Sequence, residues 1–171
     1  MRCNAGEQGA ETRTDSSFPI LDPNVAEQLF GESSAGLISA ILGRLEDAIE
    51  TEYGKQVHAS GALLNWITGT PQRRQVKGSD VYGLYSVPHV DKVNKASYDV
   101  SSLLYLSTQR VDFDGGAFAF NDEEQDLLVE PRQGRMLIFG SGSENVHQVQ
   151  HVSSGDRFVL SAWFQFTQEH S

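Results

Sequence analysis

The chain has 171 residues, of which 23 are acidic and 13 are basic, so its formal net charge is −10. This length is sufficient for one domain with a substantial core. An acidic surface repels phosphate backbones and anionic lipids, and we therefore expect neither nucleic acid nor a membrane surface among its partners.

The single cysteine, Cys3, excludes an intramolecular disulfide framework. No apolar run reaches the length of a transmembrane helix, and residues 1–17 contain no hydrophobic signal core. These features predict a chain that is soluble as given and has no membrane segment. They leave the compartment open and are equally compatible with a fragment of a longer protein.

The N-terminal part of the chain is predicted to be a tail followed by two helices. Residues 1–17 are polar and show no periodicity, which predicts a disordered tail. Asp22 as an N-cap, Pro23 at the first helical position and Gly31 as a stop predict a short helix. The stretch SSAGLISAILGRLEDAIETEYG predicts a longer helix packed on a sheet, because its apolar residues recur at helical spacing. These residues are Leu37, Ile38, Ile41, Leu42, Leu45, Ala48 and Ile49.

After Gly54 the pattern changes to short runs that are rich in β-branched and aromatic residues and are separated by turn sequences. The runs are VHASGALLNWIT, VYGLYSV, SYDVSSLLYLS, GAFAF, DLLVE, GRMLIF, NVHQVQHV and RFVLSAWFQF. Eight closely spaced strands favour a mainly β fold, a double-sheet roll or closed barrel, over a parallel α/β sheet. We expect helical support over residues 18–57 and one β domain over residues 58–168. The DFDGG segment, residues 112–116, is predicted to be a hairpin turn.

The stretch SVPHVDKVN contains a histidine and an aspartate two residues apart, His89 and Asp91. Side chains at positions i and i+2 of a strand point to the same face, so the two would project together. Such a pair is either half of a metal site or an ordinary polar strand end. By itself the pair favours the second interpretation.

Two further histidines, His147 and His151, lie in SGSENVHQVQHVSSGDR and are candidates for a third ligand. Their spacing of four residues would place both on the same face of one unbroken strand. The next strand begins at Arg157 and is apolar on both faces, so we expect it to be central in its sheet. A buried guanidinium needs an anionic partner, which is either an acidic side chain or the carboxylate of a ligand.

Two histidines and one carboxylate with open coordination positions are the ligand set of non-haem Fe(II) oxygenases, and some zinc hydrolases use a similar set. The residue types alone leave iron and zinc comparable. The arginine favours iron, because an oxygenase that uses 2-oxoglutarate must bind the distal carboxylate of that cosubstrate.

Together these motifs resemble the prolyl 4-hydroxylase branch of the 2-oxoglutarate/Fe(II) dioxygenases, whose pattern is H-x-D followed by H-x7-G-x-[KR]. The resemblance runs from about residue 60 to residue 167 and rests on PHVDKVN, SLLYLS, DFDGGAFAF, VEPRQGRMLIFGSGSENVH and GDRFVLSAWF. It implies a double-stranded β-helix, or jelly roll, with supporting N-terminal helices. It further implies that His89, Asp91 and His147 are the metal ligands. His151 stands where many prolyl hydroxylases have proline, and we leave it out of the metal site.

The resemblance also implies roles for residues around the metal. Arg157 matches the basic residue that pairs with the C5 carboxylate of 2-oxoglutarate, and Tyr105 falls where related hydroxylases place a tyrosine hydroxyl on that carboxylate. Trp163 aligns with an aromatic residue that lines the pocket behind the metal. The family often has a tyrosine three residues before the first ligand, a position that neither Tyr82 nor Tyr85 occupies.

The activity implied by the resemblance is hydroxylation of a C–H bond with Fe(II), 2-oxoglutarate and O2, releasing succinate and CO2. L-ascorbate is implied as the reductant that restores Fe(II), and the branch suggests a peptidyl, prolyl-like substrate on an unknown protein or peptide. One alternative is a non-catalytic metal-binding jelly-roll module that keeps the fold without turnover. Another is a zinc hydrolase, which would leave Arg157 and Tyr105 without a role.

Overall fold

The computed structural model describes residues 16–69 and 86–167. In these ranges the chain is mainly β, with two substantial helices near the N-terminus, in agreement with the sequence prediction. The elements in chain order are β1 (Ser16–Pro19), α1 (Pro23–Phe30), α2 (Glu32–Tyr53), β2 (Val57–Thr68), α3 (Asp91–Asn94), β3 (Val100–Tyr105), β4 (Phe113–Gly115), β5 (Phe118–Phe120), β6 (Leu127–Val129), β7 (Met136–Gly140), a 3-10 turn (Ser143–Asn145), β8 (His147–Val149) and β9 (Val152–Phe166).

Local capping signals define the ends of the two N-terminal helices. The Asp22 side chain accepts a hydrogen bond of 2.9 Å from the backbone N–H of Asn24, and α1 ends at Gly31, as predicted. Helix α2 ends at Gly54, which adopts the left-handed conformation with φ of 63° that glycine tolerates best. Although α2 has 22 residues, no helix in the described part of the chain is both long and apolar enough to cross a membrane.

The larger sheet has the strand order β1-β2-β9-β3-β7, and all of its neighbouring strands are antiparallel. Strand β9 has 15 residues and is paired by β2 on one side and β3 on the other. Its first residues also pair with β4. The prediction that the RFVLSAWFQF strand is central is therefore confirmed.

The two faces of the larger sheet contact different layers of the molecule. One face packs on α2 through a buried apolar cluster, and the other packs on the smaller sheet, whose order is β6-β5-β8. The first cluster contains Ile20, Leu42, Leu45, Ile49, Val57, Ala62, Val100, Leu160, Ala162 and Phe164. The second contains Phe118, Phe139 and Val149, with Leu103 and Leu137 packed against it. Because side chains alternate along a strand, Arg157 and Trp163 of β9 lie on the face opposite Leu160 and Phe164, towards the smaller sheet.

Two sequence predictions differ from the structure because pairing with distant strands decides the outcome. Ser16 and Ser17, assigned to the tail, belong to β1, where the Ser17 hydroxyl donates to the side-chain oxygen of Asn65 at 2.7 Å. The DFDGG segment is not a hairpin turn, because Phe113–Gly115 form β4 and pair with β9. The tail prediction for residues 1–15 and most of the predicted strand VYGLYSV lie outside the described residues.

Substitution of Leu45 by alanine should lower the free energy of unfolding by about 2–5 kcal/mol, because it leaves a cavity between α2 and the larger sheet. Leu45 is 3% exposed, whereas Leu37 on the same helix is 62% exposed. Leu37→Ala is therefore the matched control and should change stability by less than about 0.5 kcal/mol. Urea denaturation of both variants provides the measurement. Equal destabilisation by the two substitutions would contradict the packing of α2 on the larger sheet through Leu45.

Candidate functional site

Three side chains that could bind a metal ion converge between the two sheets. They are His89, Asp91 and His147, and one ligand atom from each lies within 4.8 Å of the other two. The Nε2 of His89 is 3.7 Å from Oδ1 of Asp91, and the Nε2 of His147 is 3.7 Å from Oδ2 of the same carboxylate. Asp91 and His147 are buried, and His89 is partly exposed. The described residues contain no other group of three or more such ligands.

Backbone pairing brings the two histidines together. His89 and His147 form an isolated antiparallel bridge in which each backbone N–H donates to the carbonyl of the other residue at 2.9 Å. Val90 is extended, so His89 and Asp91 project to the same side, as the spacing predicts. Asp91 itself is the first residue of the short helix α3 and not part of a strand.

Both imidazoles are oriented by a hydrogen bond to the carbonyl two residues earlier in the chain. The Nδ1 of His89 lies 2.8 Å from the Val87 carbonyl, and that of His147 lies 2.8 Å from the Asn145 carbonyl. A carbonyl oxygen can only accept, so each Nδ1 carries the proton when the ring is neutral. Each Nε2 is then left with a lone pair, which is the form of histidine that binds metals.

His147 lies in an aromatic environment. Its ring stacks on Phe118 at a centroid distance of 5.1 Å and meets Phe139 edge to face at 5.0 Å. Burial lowers the pKa of His147, an effect that the Asn145 carbonyl and the Asp91 carboxylate oppose. The surroundings therefore favour the neutral imidazole.

A second buried polar pair, Arg157 and Tyr105, lies on the inner face of the larger sheet. Arg157 is 1% exposed and Tyr105 is 0% exposed, and the guanidinium carbon is 5.5 Å from the centre of the tyrosine ring. The Arg157 Nε donates to the Gly116 carbonyl at 3.2 Å. Burial raises the pKa of the Tyr105 hydroxyl, and the positive charge of Arg157 opposes that shift. The positively charged guanidinium group of Arg157 and the neutral hydroxyl group of Tyr105 therefore lie side by side, away from water.

Two glycines near Arg157 in the fold or in the chain lie where a side chain would not fit. Gly116 has φ of +64°, and a Cβ added there would come within 3.1 Å of the Arg157 side chain. Gly155, in the G-x-R part of the motif, has φ of +73° and lies against the backbone of Asp112 and Phe113. A side chain at either glycine would be strained and would displace neighbouring atoms.

Trp163 lies at the other end of the inner face of β9. It is paired across the sheet with Ser101 of β3 and with Gly61 of β2, and its ring stacks on Tyr98 at 5.3 Å with an interplanar angle of 11°. A Cβ at Gly61 would come within 2.5 Å of the Tyr98 hydroxyl, so the glycine makes room for the stacked pair.

His151 does not share a strand with His147. Strand β8 ends at Val149 and β9 begins at Val152, so the expectation of one unbroken strand carrying both histidines is wrong. The interruption occurs because β8 pairs with β5 in the smaller sheet, whereas β9 pairs with strands of the larger one. His151 is not part of the ligand cluster, and Tyr82 and Tyr85 lie outside the described residues.

Several residues of the site were not found from the sequence. Ser101 donates a hydrogen bond to the Asp91 carboxylate and itself contacts Ser141, and Tyr98 stacks on Trp163. The alternation of side chains along a strand could have identified Ser101. It lies four residues before Tyr105 on β3 and therefore on the same face of the sheet. No comparable pattern marks Ser141 or Tyr98.

Comparison with known sequences agrees with the family resemblance of the motifs. The family model described as the 2OG-Fe(II) oxygenase superfamily matches residues 79–165. The Xenopus tropicalis protein named 2-oxoglutarate and iron-dependent oxygenase domain-containing protein 3 is 49% identical over 87 residues, which are 51% of this chain and 27% of that protein. The human protein of the same name is 34% identical over 144 residues, 84% of this chain and 44% of its own length. The chain spans less than half the length of either relative.

Solved structures share the fold. The crystal structure of a Pseudomonas putida prolyl-4-hydroxylase has a TM-score of 0.56 and 23% identity, covering 96% of this chain and 77% of that one. A prolyl hydroxylase from Trichoplax adhaerens, solved in complex with a hypoxia inducible factor oxygen degradation domain peptide fragment, has a TM-score of 0.54 and 22% identity and covers 90% of this chain and 63% of that one. These likenesses concern the fold alone, and they confirm the predicted double-stranded β-helix with N-terminal helices.

In metal-free protein, acidification should reduce stability through His147. Its pKa is lowered by burial, so on acidification the unfolded chain takes up a proton near pH 6.5, roughly the ordinary value, before the folded chain does. The free energy of unfolding should therefore fall as the pH drops below that value, by at most about 1.4 kcal/mol per pH unit from this group. Urea denaturation with a chelator present, compared with His147→Gln, provides the measurement. The variant should show the weaker pH dependence, and identical slopes would contradict the prediction.

Proposed function

The chain belongs to the 2OG-Fe(II) oxygenase superfamily, and we propose that it hydroxylates a C–H bond with Fe(II), 2-oxoglutarate and O2, releasing succinate and CO2. The observation that carries the proposal is the convergence of two histidine Nε2 atoms and one carboxylate in the same interior as a buried Arg157–Tyr105 pair. The first group suits a divalent metal and the second suits the carboxylate of a ligand. An oxygenase of this superfamily requires both.

His89, Asp91 and His147 are proposed to hold the iron. Both Nδ1 atoms are engaged by carbonyls, so the Nε2 lone pairs and the carboxylate face one another as a donor set of two imidazoles and one carboxylate. This set leaves coordination positions open, as non-haem Fe(II) oxygenases need. Zinc accepts similar donors, but a zinc hydrolase would give Arg157 and Tyr105 no task.

Arg157 and Tyr105 are proposed to bind the C5 carboxylate of 2-oxoglutarate. A guanidinium presents paired donors that match the two oxygens of a carboxylate, and the tyrosine hydroxyl adds a third donor. Both side chains are buried away from water. Charge-assisted hydrogen bonds are stronger in such a low-dielectric interior than in water. The raised pKa of Tyr105 keeps its hydroxyl protonated and able to donate.

When bound, Fe(II) and 2-oxoglutarate supply the activation of O2. The chain contributes placement and exclusion of water: Phe118 and Phe139 cover the His147 ring, and the carbonyls of Val87 and Asn145 hold the ligand imidazoles in one tautomer. L-ascorbate is proposed as the reductant that restores Fe(II), as the family resemblance implies.

The proposed substrate is a peptidyl side chain of the prolyl type. Support comes from the P. putida and T. adhaerens structures, which are both of prolyl hydroxylases, the second with a bound peptide. Trp163 is proposed to line the substrate pocket together with Tyr98, because a stacked aromatic pair offers a flat apolar wall for a ring such as that of proline.

Anaerobic titration with Fe(II) and then 2-oxoglutarate tests the proposal directly. One equivalent of Fe(II) should bind, and a weak visible charge-transfer band should appear only after 2-oxoglutarate is added. His147→Ala should abolish stoichiometric iron binding, and His151→Ala, the matched control, should leave it near one equivalent. Iron loss in His151→Ala alone would contradict the ligand assignment.

A charge-transfer band without substrate-dependent succinate formation would instead support the non-catalytic metal-binding module. Succinate should therefore be counted per enzyme, with ascorbate present, against a panel of proline-containing peptides. Iron binding without any spectral response to 2-oxoglutarate would contradict the oxygenase proposal itself.

Arg157→Ala should weaken 2-oxoglutarate binding by ~2–4 kcal/mol, about thirtyfold to eight-hundredfold, while iron binding persists. Arg157→Lys should lose part of this, since lysine keeps the charge without the fork. Tyr105→Phe should lose about 1 kcal/mol for one hydroxyl contact. The measurement is the 2-oxoglutarate Kd of each folded variant, with Fe(II) present and O2 absent.

The matched control is Arg110→Ala, because the Arg110 side chain is 71% exposed and pairs with Glu130 at the surface. It should leave the 2-oxoglutarate Kd unchanged. An unchanged Kd in Arg157→Ala would show that the arginine has a purely structural role.

A further inference from the structure

The Asp91 carboxylate is held by a chain of two buried hydroxyl groups. The Ser101 hydroxyl donates to Asp91 Oδ2 at 2.7 Å, and the hydroxyl oxygens of Ser101 and Ser141 are also 2.7 Å apart. Asp91 is 6% exposed, and both serines are 1% exposed. Among the described residues, Ser101 is the one hydrogen-bond donor to this carboxylate.

The direction of these two hydrogen bonds follows from the number of protons that the three side chains can donate. An ionised carboxylate has no proton to donate, so the single proton of Ser101 must point to Asp91. The short contact between the serines is then donated by Ser141 and accepted by Ser101. Ser101 therefore donates to Asp91 and accepts from Ser141, and the order Ser141, Ser101, Asp91 is determined.

Ser141 is tied to the backbone on both sides. Its carbonyl accepts from the N–H of Lys92, the residue after Asp91, at 3.0 Å, and its N–H donates to the Asp99 carbonyl at 2.9 Å. The serine that follows β7 therefore holds the start of α3, which carries Asp91, and the approach to β3, which carries Ser101. These contacts matter because α3 has only four residues and offers little rigidity of its own.

We propose that Ser101 and Ser141 are positioning residues that fix the rotation of the Asp91 carboxylate, so that Oδ1 faces the Nε2 of His89 and Oδ2 faces the Nε2 of His147. The inference rests on the proposed function, because it needs a metal at His89, Asp91 and His147. Rotation about the terminal bond of aspartate is soft, so an unrestrained carboxylate turns readily. The hydrogen bond from Ser101 restrains this rotation before a metal binds, which would lower the reorganisation that binding requires.

The test uses Co(II) as the probe, because it is stable in air and its visible absorption changes with the number of ligands. The purified chain is titrated with Co(II) in wild-type form and as Ser101→Ala, Ser141→Ala and the double variant. Ser101→Ala should raise the Co(II) Kd by about tenfold to a hundredfold and alter the visible spectrum. Ser141→Ala should have a smaller effect, and it should add nothing in the Ser101→Ala background, since it acts through Ser101.

Ser102→Ala is the matched control. Ser102 is on the same strand, is also 1% exposed, and directs its hydroxyl to the Ala162 carbonyl at 3.4 Å on the opposite face. Its substitution should leave both the Kd and the spectrum unchanged. Ser101→Thr keeps the hydroxyl and should restore near wild-type binding, which distinguishes positioning from a general effect on folding.

An unchanged Co(II) Kd and spectrum in Ser101→Ala would overturn the inference, as would an additive effect of Ser141→Ala in the double variant. If Ser101→Ala does not fold, Ser141→Ala takes its place in the test. Weakened Co(II) binding by that variant would support the inference, and unchanged binding would overturn it. Failure of the wild-type chain to bind Co(II) would refute the metal site and with it both proposals. Wild-type Co(II) binding with the expected serine effects, but without 2-oxoglutarate binding, would refute the proposed function and leave the serine assignment standing.

Discussion

The site depends on two reciprocal backbone hydrogen bonds between His89 and His147. They join the segment that carries the HxD motif to the edge of the smaller sheet, and so bring together side chains that are far apart in the chain. Because the backbones are paired directly, the two rings lie only 4.4 Å apart between centroids. Each ring then uses the carbonyl two residues earlier as its acceptor, and the same local geometry is produced on both sides of the bridge.

Strand β9 organises the remainder of the interior. One face contributes Leu160, Ala162 and Phe164 to the core under α2, whereas the other carries Arg157 near one end and Trp163 near the other. The same separation appears in β3, where Ser101 bonds to Asp91 and the adjacent Ser102 points into the opposite layer. The residues that pack under α2 and the residues that contact the site therefore alternate along the same strands. Substitutions in one set can be made independently of the other.

Several polar side chains of the interior are held by short-range hydrogen bonds. Asp91 accepts from Ser101, the ligand histidines donate to carbonyls, and Arg157 donates to the carbonyl of Gly116, a glycine whose lack of a side chain admits the arginine. Such arrangements hold the side chains in one orientation before any ligand arrives. Pre-organisation of this kind lowers the reorganisation needed when a metal or an anion binds.

Local signals in the sequence determined much of this protein. Capping residues predicted the ends of the short helix, helical spacing of apolar residues predicted the long helix, and β-rich runs predicted most of the strands. The resemblance of the motifs to a known family identified the three side chains that converge at the ligand cluster. Tertiary structure alone decided that Ser16 and Ser17 extend β1, that DFDGG contributes a strand, and that β8 and β9 separate His147 from His151. It also decided that Ser101 and Ser141 lie behind Asp91. The physical reason is that caps and alternation act within a few residues, whereas strand pairing and buried hydrogen bonds depend on partners that only the folded chain brings together.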